Sequence, residues 1–143
     1  MAEVNVSRQI AAPQEKVWAV LASPGRFGEW LTLHTSWKEE PPAELSLGAN
    51  LTEVVTIMGM PNTITWTVDS YVPPSSLRIS GTGMAGAKVA FTLSVQAEGG
   101  SCVATIDAEF VSQIMAGAIG AAVERNAVKE LDVSLDKLTA LVA

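Results

Sequence analysis

The feature that most constrains this chain is its last long stretch, from Ile114 to Val142, the longest run free of proline and of turn clusters. From Val123 on, apolar residues recur as Val123, Ala127, Leu131, Leu135, Leu138 and Val142, in steps of four and three. That spacing places them on one face of an α-helix. Glu124, Arg125, Lys129, Asp132, Asp136 and Lys137 fall largely on the other faces. The first third of the stretch reads IMAGAIGAAV and carries no charge, so a helix there must be covered on all sides. Gly117 and Gly120 each cost roughly 1 kcal/mol of helix propensity against alanine. Either another backbone approaches closely at that point, or the small side chains leave open space. The pattern predicts one helix of roughly 28 residues, about 42 Å long at about 1.5 Å per residue.

Upstream, alternation of period two recurs. Val4 to Ile10 reads as a first strand, with Val4, Val6, Arg8 and Ile10 on one side. Ala12-Pro13 opens a short helix carrying Val17, Trp18, Val20 and Leu21, which Ser23-Pro24-Gly25 stops. Arg26 to Leu31 reads as one further helical turn ending in Trp30, and Thr32 to Asn50 as loop. Five strands are then predicted: Leu51 to Met58, Thr63 to Tyr71, Leu77 to Gly81, Lys88 to Gln96 and Cys102 to Val111. The turns between them are Gly59-Met60-Pro61-Asn62, Pro73-Pro74-Ser75-Ser76, the glycine-rich Gly81 to Gly86 and Glu98-Gly99-Gly100-Ser101. Short connections make the sheet antiparallel, with one apolar face that the long helix covers. The expected class is α+β, an antiparallel sheet of about six strands coiled around a C-terminal helix, with a gap where the small-residue end of that helix meets it.

Composition narrows the function. The 143 residues are expected to form one domain (residues 1–143), without a signal peptide or a membrane-spanning run, in the cytoplasm. Nine basic residues against fifteen acidic ones, net −6, with no basic cluster, argue against nucleic acid or an anionic membrane as partner. The chain is 48% hydrophobic and only 17% charged, and that apolar excess needs a lined cavity or a partner interface.

The segments IAAPQEKVWAVLASPGRFGEW, GANLTEVVTIMGMPNTITWTV and LRISGTGMAG, followed by the charge-poor start of the final helix, resemble the START-like, or Bet v 1-like (SRPBCC), superfamily. Within it they look most like the bacterial polyketide cyclase/dehydrase and lipid-transport group. The opening is the most specific part, with Val17-Trp18 on a proline-started helix followed by Pro24 and Trp30. The resemblance spans nearly the whole chain and implies a helix-grip fold with a deep apolar cavity between sheet and helix. Some actinobacterial members of similar appearance carry the label of toxins from toxin–antitoxin pairs.

Candidate ligand-binding residues are Trp30, Trp37, Met58, Met60, Trp66, Met84, Phe91, Phe110, Met115 and Ile119, large apolar side chains from inward faces and from loops near the gap. The same residues serve equally as ordinary core. His34, the one histidine, lies between two tryptophans in LTLHTSW, joins the ligand set, and is a weak catalytic candidate because imidazole titrates near neutral pH. One histidine and one cysteine supply no metal site, and no cofactor motif is present. Gly81-x-Gly83-x-x-Gly86 matches a dinucleotide string but opens a strand rather than a helix. Cys102 reads as a small buried hydrophobe. Asp69, Asp107 and Glu109 share faces with threonines and are expected in solvent. Glu53 falls inward if Leu51, Val55 and Ile57 do, and outward if Thr52, Val54, Thr56 and Met58 are the inner set. The outward register is favoured here, because strand ends near loops often carry charge. Arg8, which breaks the apolar side of the first strand, suits an edge position.

These readings rank a binding protein for a hydrophobic or amphipathic small molecule first, of lipid or polyketide kind. A cyclase/dehydrase-type enzyme using the same cavity comes second. A toxin-like interaction protein using exposed Trp and Met side chains is third. A homodimer is left open.

Overall fold

The computed structural model describes residues 2–57, 59–83, 86–111 and 117–142; for residues 2 and 117–119 it describes the backbone alone. The elements run β1 (Ala2–Ile10), α1 (Gln14–Leu21), a single 3-10 turn at Pro24–Arg26, α2 (Phe27–Trp30), β2 (His34–Trp37), β3 (Asn50–Ile57), β4 (Met60–Val72), β5 (Ser76–Thr82), β6 (Lys88–Glu98), β7 (Ser101–Val111) and α3 (Gly117–Val142). All strand pairs are antiparallel, in the spatial order β1-β7-β6-β5-β4-β3-β2. This is the expected α+β helix-grip arrangement, a curled sheet against a long C-terminal helix.

Two details depart from the sequence reading. The sheet has seven strands rather than about six, because His34–Trp37, read as loop, forms the short edge strand β2 against β3. Four residues are too few for alternation to show. Met60, Pro61 and Asn62, assigned to a turn, already belong to β4 and pair with Ile57, Thr56 and Val55. The opposite hairpin follows the expected pattern, with Gly99 taking a φ of +64° that residues with a Cβ adopt only at a cost.

One face of the sheet is apolar and packs on α3. Ile64, Trp66 and Val68 of β4 share a single core with Val89, Phe91, Leu93 and Val95 of β6, and with Cys102, Ala104, Ile106, Ala108 and Phe110 of β7. Val123, Ala127, Leu131, Leu135, Leu138 and Val142, the predicted stripe of α3, all lie in that core. At Gly81 the strands leave no room for a side chain. A Cβ there would stand 2.3 Å from the Thr65 carbonyl oxygen and 2.8 Å from Ile64 Cγ2.

Polar contacts tie α3 to β1 and to the segment that follows α2. Arg8 of the edge strand β1 bonds Asp132 at 2.8 Å and also pairs with Asp136, and the Asp136 contact above all holds the guanidinium above its ordinary pKa. On the opposite side, the Thr32 backbone N–H donates to Ser134 Oγ and the Thr32 hydroxyl to the Glu130 carbonyl, both at 2.9 Å. The two carboxylates facing Arg8 are more than half exposed, so solvent screens the pair. Arg8→Ala should therefore lower the unfolding free energy by less than about 1 kcal/mol. That difference should shrink further in about 1 M salt, where screening acts over about 3 Å; urea titrations at two salt concentrations check it.

Cys102 is fully buried, as its alternating neighbours suggest. Burial first, and Glu98 second, push its thiol above the ordinary value. A raised thiol pKa favours the protonated form in the folded state. The resulting stabilisation is complete below the unfolded thiol's pKa of about 8.5 and fades as pH rises through the folded value. Iodoacetamide at pH 8 should leave native Cys102 unmodified and label it readily in urea, as mass spectrometry would read.

Candidate ligand site

The predicted aromatic residues that fall within the described side chains gather in two runs, one around α2 and β2 and one on the inner face of the sheet. The short helix α2 places Phe27 and Trp30 three residues apart, on one side. Phe27 becomes the hub. Its ring centre lies 5.9 Å from that of Trp30, 6.3 Å from His34 and 5.6 Å from Trp37. The His34 and Trp37 rings are 5.2 Å apart, and Trp37 Nε1–H donates to the Pro24 carbonyl at 2.9 Å. Deeper in the sheet, Trp66, Phe91 and Phe110 form a second run, with ring centres 5.4 Å and 6.2 Å apart in sequence.

A buried carboxylate joins the two runs. Glu53 is 1% exposed and belongs to the inner set with Leu51 and Val55, which corrects the outward register favoured from sequence. The cause is chemical. Glu53 Oε1 accepts Trp66 Nε1–H at 2.7 Å, and Glu53 Oε2 accepts His34 Nδ1–H. Isolating a carboxylate in an apolar interior costs several kcal/mol, and paired donors offset that cost. Strand pairing brings the three together. His34 lies across from Val55, two residues from Glu53, and Glu53 itself lies across from Ile64, two residues from Trp66. The His34 side chain is only 7% exposed. With Nδ1–H committed to the carboxylate, the other ring nitrogen, Nε2, is left free to accept from, or donate to, a third group. Across from that edge of the ring stands Gly28 of α2, whose absent Cβ would lie 3.6 Å from His34 Cδ2.

Not every candidate joins this cluster. Met60, at the start of β4, is 68% exposed and makes none of these ring contacts. Met58, Met84 and Met115 lie outside the described residues, as do Ile114 and Ala116 of the expected helix start, and the Ile119 side chain is likewise not described. The sequence reading passed over Phe27. Its signal was the Phe-x-x-Trp spacing within GRFGEW, which puts both rings on one side of a single helical turn.

Two open clefts, of about 450 and 420 Å³, lie on the other face of the sheet. Their linings include Thr65, Thr67, Arg78 and Ser80 in one case and Asn5, Thr92 and Asp107 in the other. Those positions alternate with the inward residues, so the clefts are separate from the aromatic cluster. Among the described residues no three His, Cys, Asp or Glu side chains converge as a metal would need. Among them also, no helix is long and apolar enough to cross a membrane.

Comparison with known proteins gives a consistent picture. The model of a family described as "Polyketide cyclase / dehydrase and lipid transport" matches residues 1–143. Rv1546 of Mycobacterium tuberculosis H37Rv is 29% identical over 141 residues, covering 99% of each chain. A protein of the same organism named toxin Rv0910 is 32% identical over 120 residues, covering 84% of this chain and 83% of its own. Among solved structures, TTHA0849 of Thermus thermophilus superposes with a TM-score of 0.79 at 18% identity, over 98% of this chain and 96% of its own.

Proposed function

Since this chain belongs to the polyketide cyclase/dehydrase and lipid transport family, we propose that it binds a hydrophobic or amphipathic small molecule between the curled sheet and α3. The observation that carries the reading is an interior lined with rings around the His34–Glu53 pair. Trp30, Trp66, Phe91 and Phe110 are each at most 3% exposed, and among them lie His34 and Glu53. A wall of that kind gives an apolar ligand wide contact and one polar group to orient it. The helix facing the sheet begins Gly-Ala-Ile-Gly-Ala-Ala, in which every residue but Ile119 contributes little volume of its own.

Native mass spectrometry of the purified protein should show an added mass of a few hundred daltons. After delipidation, the protein should enhance the fluorescence of 1-anilinonaphthalene-8-sulfonate and release the dye to a long-chain alcohol or acid. A protein that carries no added mass and takes up neither dye nor lipid would overturn the reading.

Catalysis in the same interior is a second reading, favoured by one observation: a carboxylate orients the only histidine and leaves its Nε2 free. The interaction reading loses its tryptophans but keeps Met60, which is exposed. Of the tryptophans it needs on the surface, Trp18, Trp30 and Trp66 are buried and Trp37 is half-buried. The toxin name therefore stays with the relative that bears it.

A further inference from the structure

We propose that the interior under α2 is built to hold a hydroxyl group, so that the ligand is an uncharged apolar molecule ending in an alcohol or phenol. The proposal rests on the ligand-binding reading and narrows it.

Three polar atoms carry the argument, and among the described residues none has a partner for its remaining capacity. Trp30 Nε1–H is an enclosed donor with no acceptor, and Asn126 Oδ1 is an enclosed acceptor with no donor. His34 Nε2 is the free end of the imidazole that Glu53 holds. Enclosed polar atoms in proteins are nearly always satisfied, so two such orphans call for a group from outside the chain. Trp30 and His34 belong to one neighbourhood, and Asn126 lies on the helix packed beside α2. Trp30 and His34 both pack against the Phe27 ring. Asn126 sits one helical turn before Glu130 and two before Ser134, the two residues that bond Thr32, just past α2.

A hydroxyl fits this set because it donates once and accepts up to twice. It accepts from Trp30 Nε1–H and donates to His34 Nε2 or Asn126 Oδ1. If the Asn126 amide is turned over, the hydroxyl accepts from it as well. An ether or an alkyl end lacks the donor. A ligand carboxylate could accept from Trp30 Nε1–H but would have no proton to give Asn126 Oδ1 or His34 Nε2, and it would sit across one imidazole from the Glu53 carboxylate, in a chain of net charge −6. Gly28 sets no side chain of its own against the Cδ2 side of His34.

The test is displacement of 1-anilinonaphthalene-8-sulfonate from the full chain by 1-dodecanol, 1-methoxyundecane and dodecanoate. The alcohol should displace the dye at about a tenfold lower concentration than the ether, the effect of roughly one net hydrogen bond, and dodecanoate should be weaker than the alcohol. His34→Asn keeps an amide N–H where Nδ1–H stands, so Glu53 retains its partner, but it removes Nε2. Trp30→Phe keeps a ring and removes the N–H. Each variant should bring the alcohol-to-ether ratio towards one, with folding verified by thermal melting. If one variant does not fold, the other carries the test. Equal displacement by alcohol and ether, tightest displacement by dodecanoate, or an unchanged ratio in a folded variant would overturn the proposal and leave ligand binding standing. If none of the three molecules displaces the dye, ligand binding itself fails, and the hydroxyl site with it.

Discussion

Alanine at His34 is expected to lower the unfolding free energy by about 3–5 kcal/mol, because it strands a charge rather than merely removing a ring. Glu53 is 1% exposed, and its two donors are His34 and Trp66. Without the imidazole, one carboxylate oxygen faces aromatic carbon in place of a donor. At about 2–4 °C per kcal/mol for a chain of this size, melting should fall by roughly 10 °C. A double substitution separates charge from packing. His34→Phe with Glu53→Leu removes both partners of the pair and should recover part of the loss, the remainder reflecting the buried Trp66 Nε1–H left without its acceptor. Loss of under 1 kcal/mol in His34→Ala, or a double variant no better than the single one, would show that the pair contributes little to the fold.

Leu131→Ala should cost about 2–5 kcal/mol, the range for emptying a fully enclosed leucine site. Leu131 is 0% exposed, at the middle of the α3 stripe and within the core shared with β4, β6 and β7. Val133, two residues on, points away from that core and is 40% exposed. Val133→Ala should change stability by no more than about 0.5 kcal/mol, as exposed positions do. Equilibrium unfolding in urea reads both. The contrast is the sharper result: similar losses at 131 and 133 would mean that α3 does not bury the face assigned to it.

That face was legible in the sequence because periodicity is a property of many residues at once. Six apolar positions from Val123 to Val142 repeat over more than five helical turns, and all six are buried. The antiparallel hairpins were legible for the same reason. The site was less so. Glu53 alternates with apolar residues in both registers of β3, since Leu51 and Val55 flank it on one face and Val54 lies on the other. No local pattern breaks the tie. The tie is broken by Trp66 and His34, 13 residues ahead and 19 behind, whose N–H groups make an inward carboxylate tolerable. Long-range partners of this kind leave no periodic trace. β2 was missed for a related reason: its four residues become a strand only because β3 lies beside them. Phe27 was present in plain view, but its importance comes from three rings that the fold gathers around it.

The sheet order also carries a consequence for how the molecule is made. β1 pairs with β7, so Ala2 must find Phe110. During synthesis at about 5–20 residues per second, the first strand waits roughly 5–20 s before its neighbour leaves the ribosome. A strand kept waiting is an invitation to wrong partners. This one shows Glu3, Asn5, Ser7 and Gln9 on one of its two sides, a hydrophilic coat for the interval before assembly.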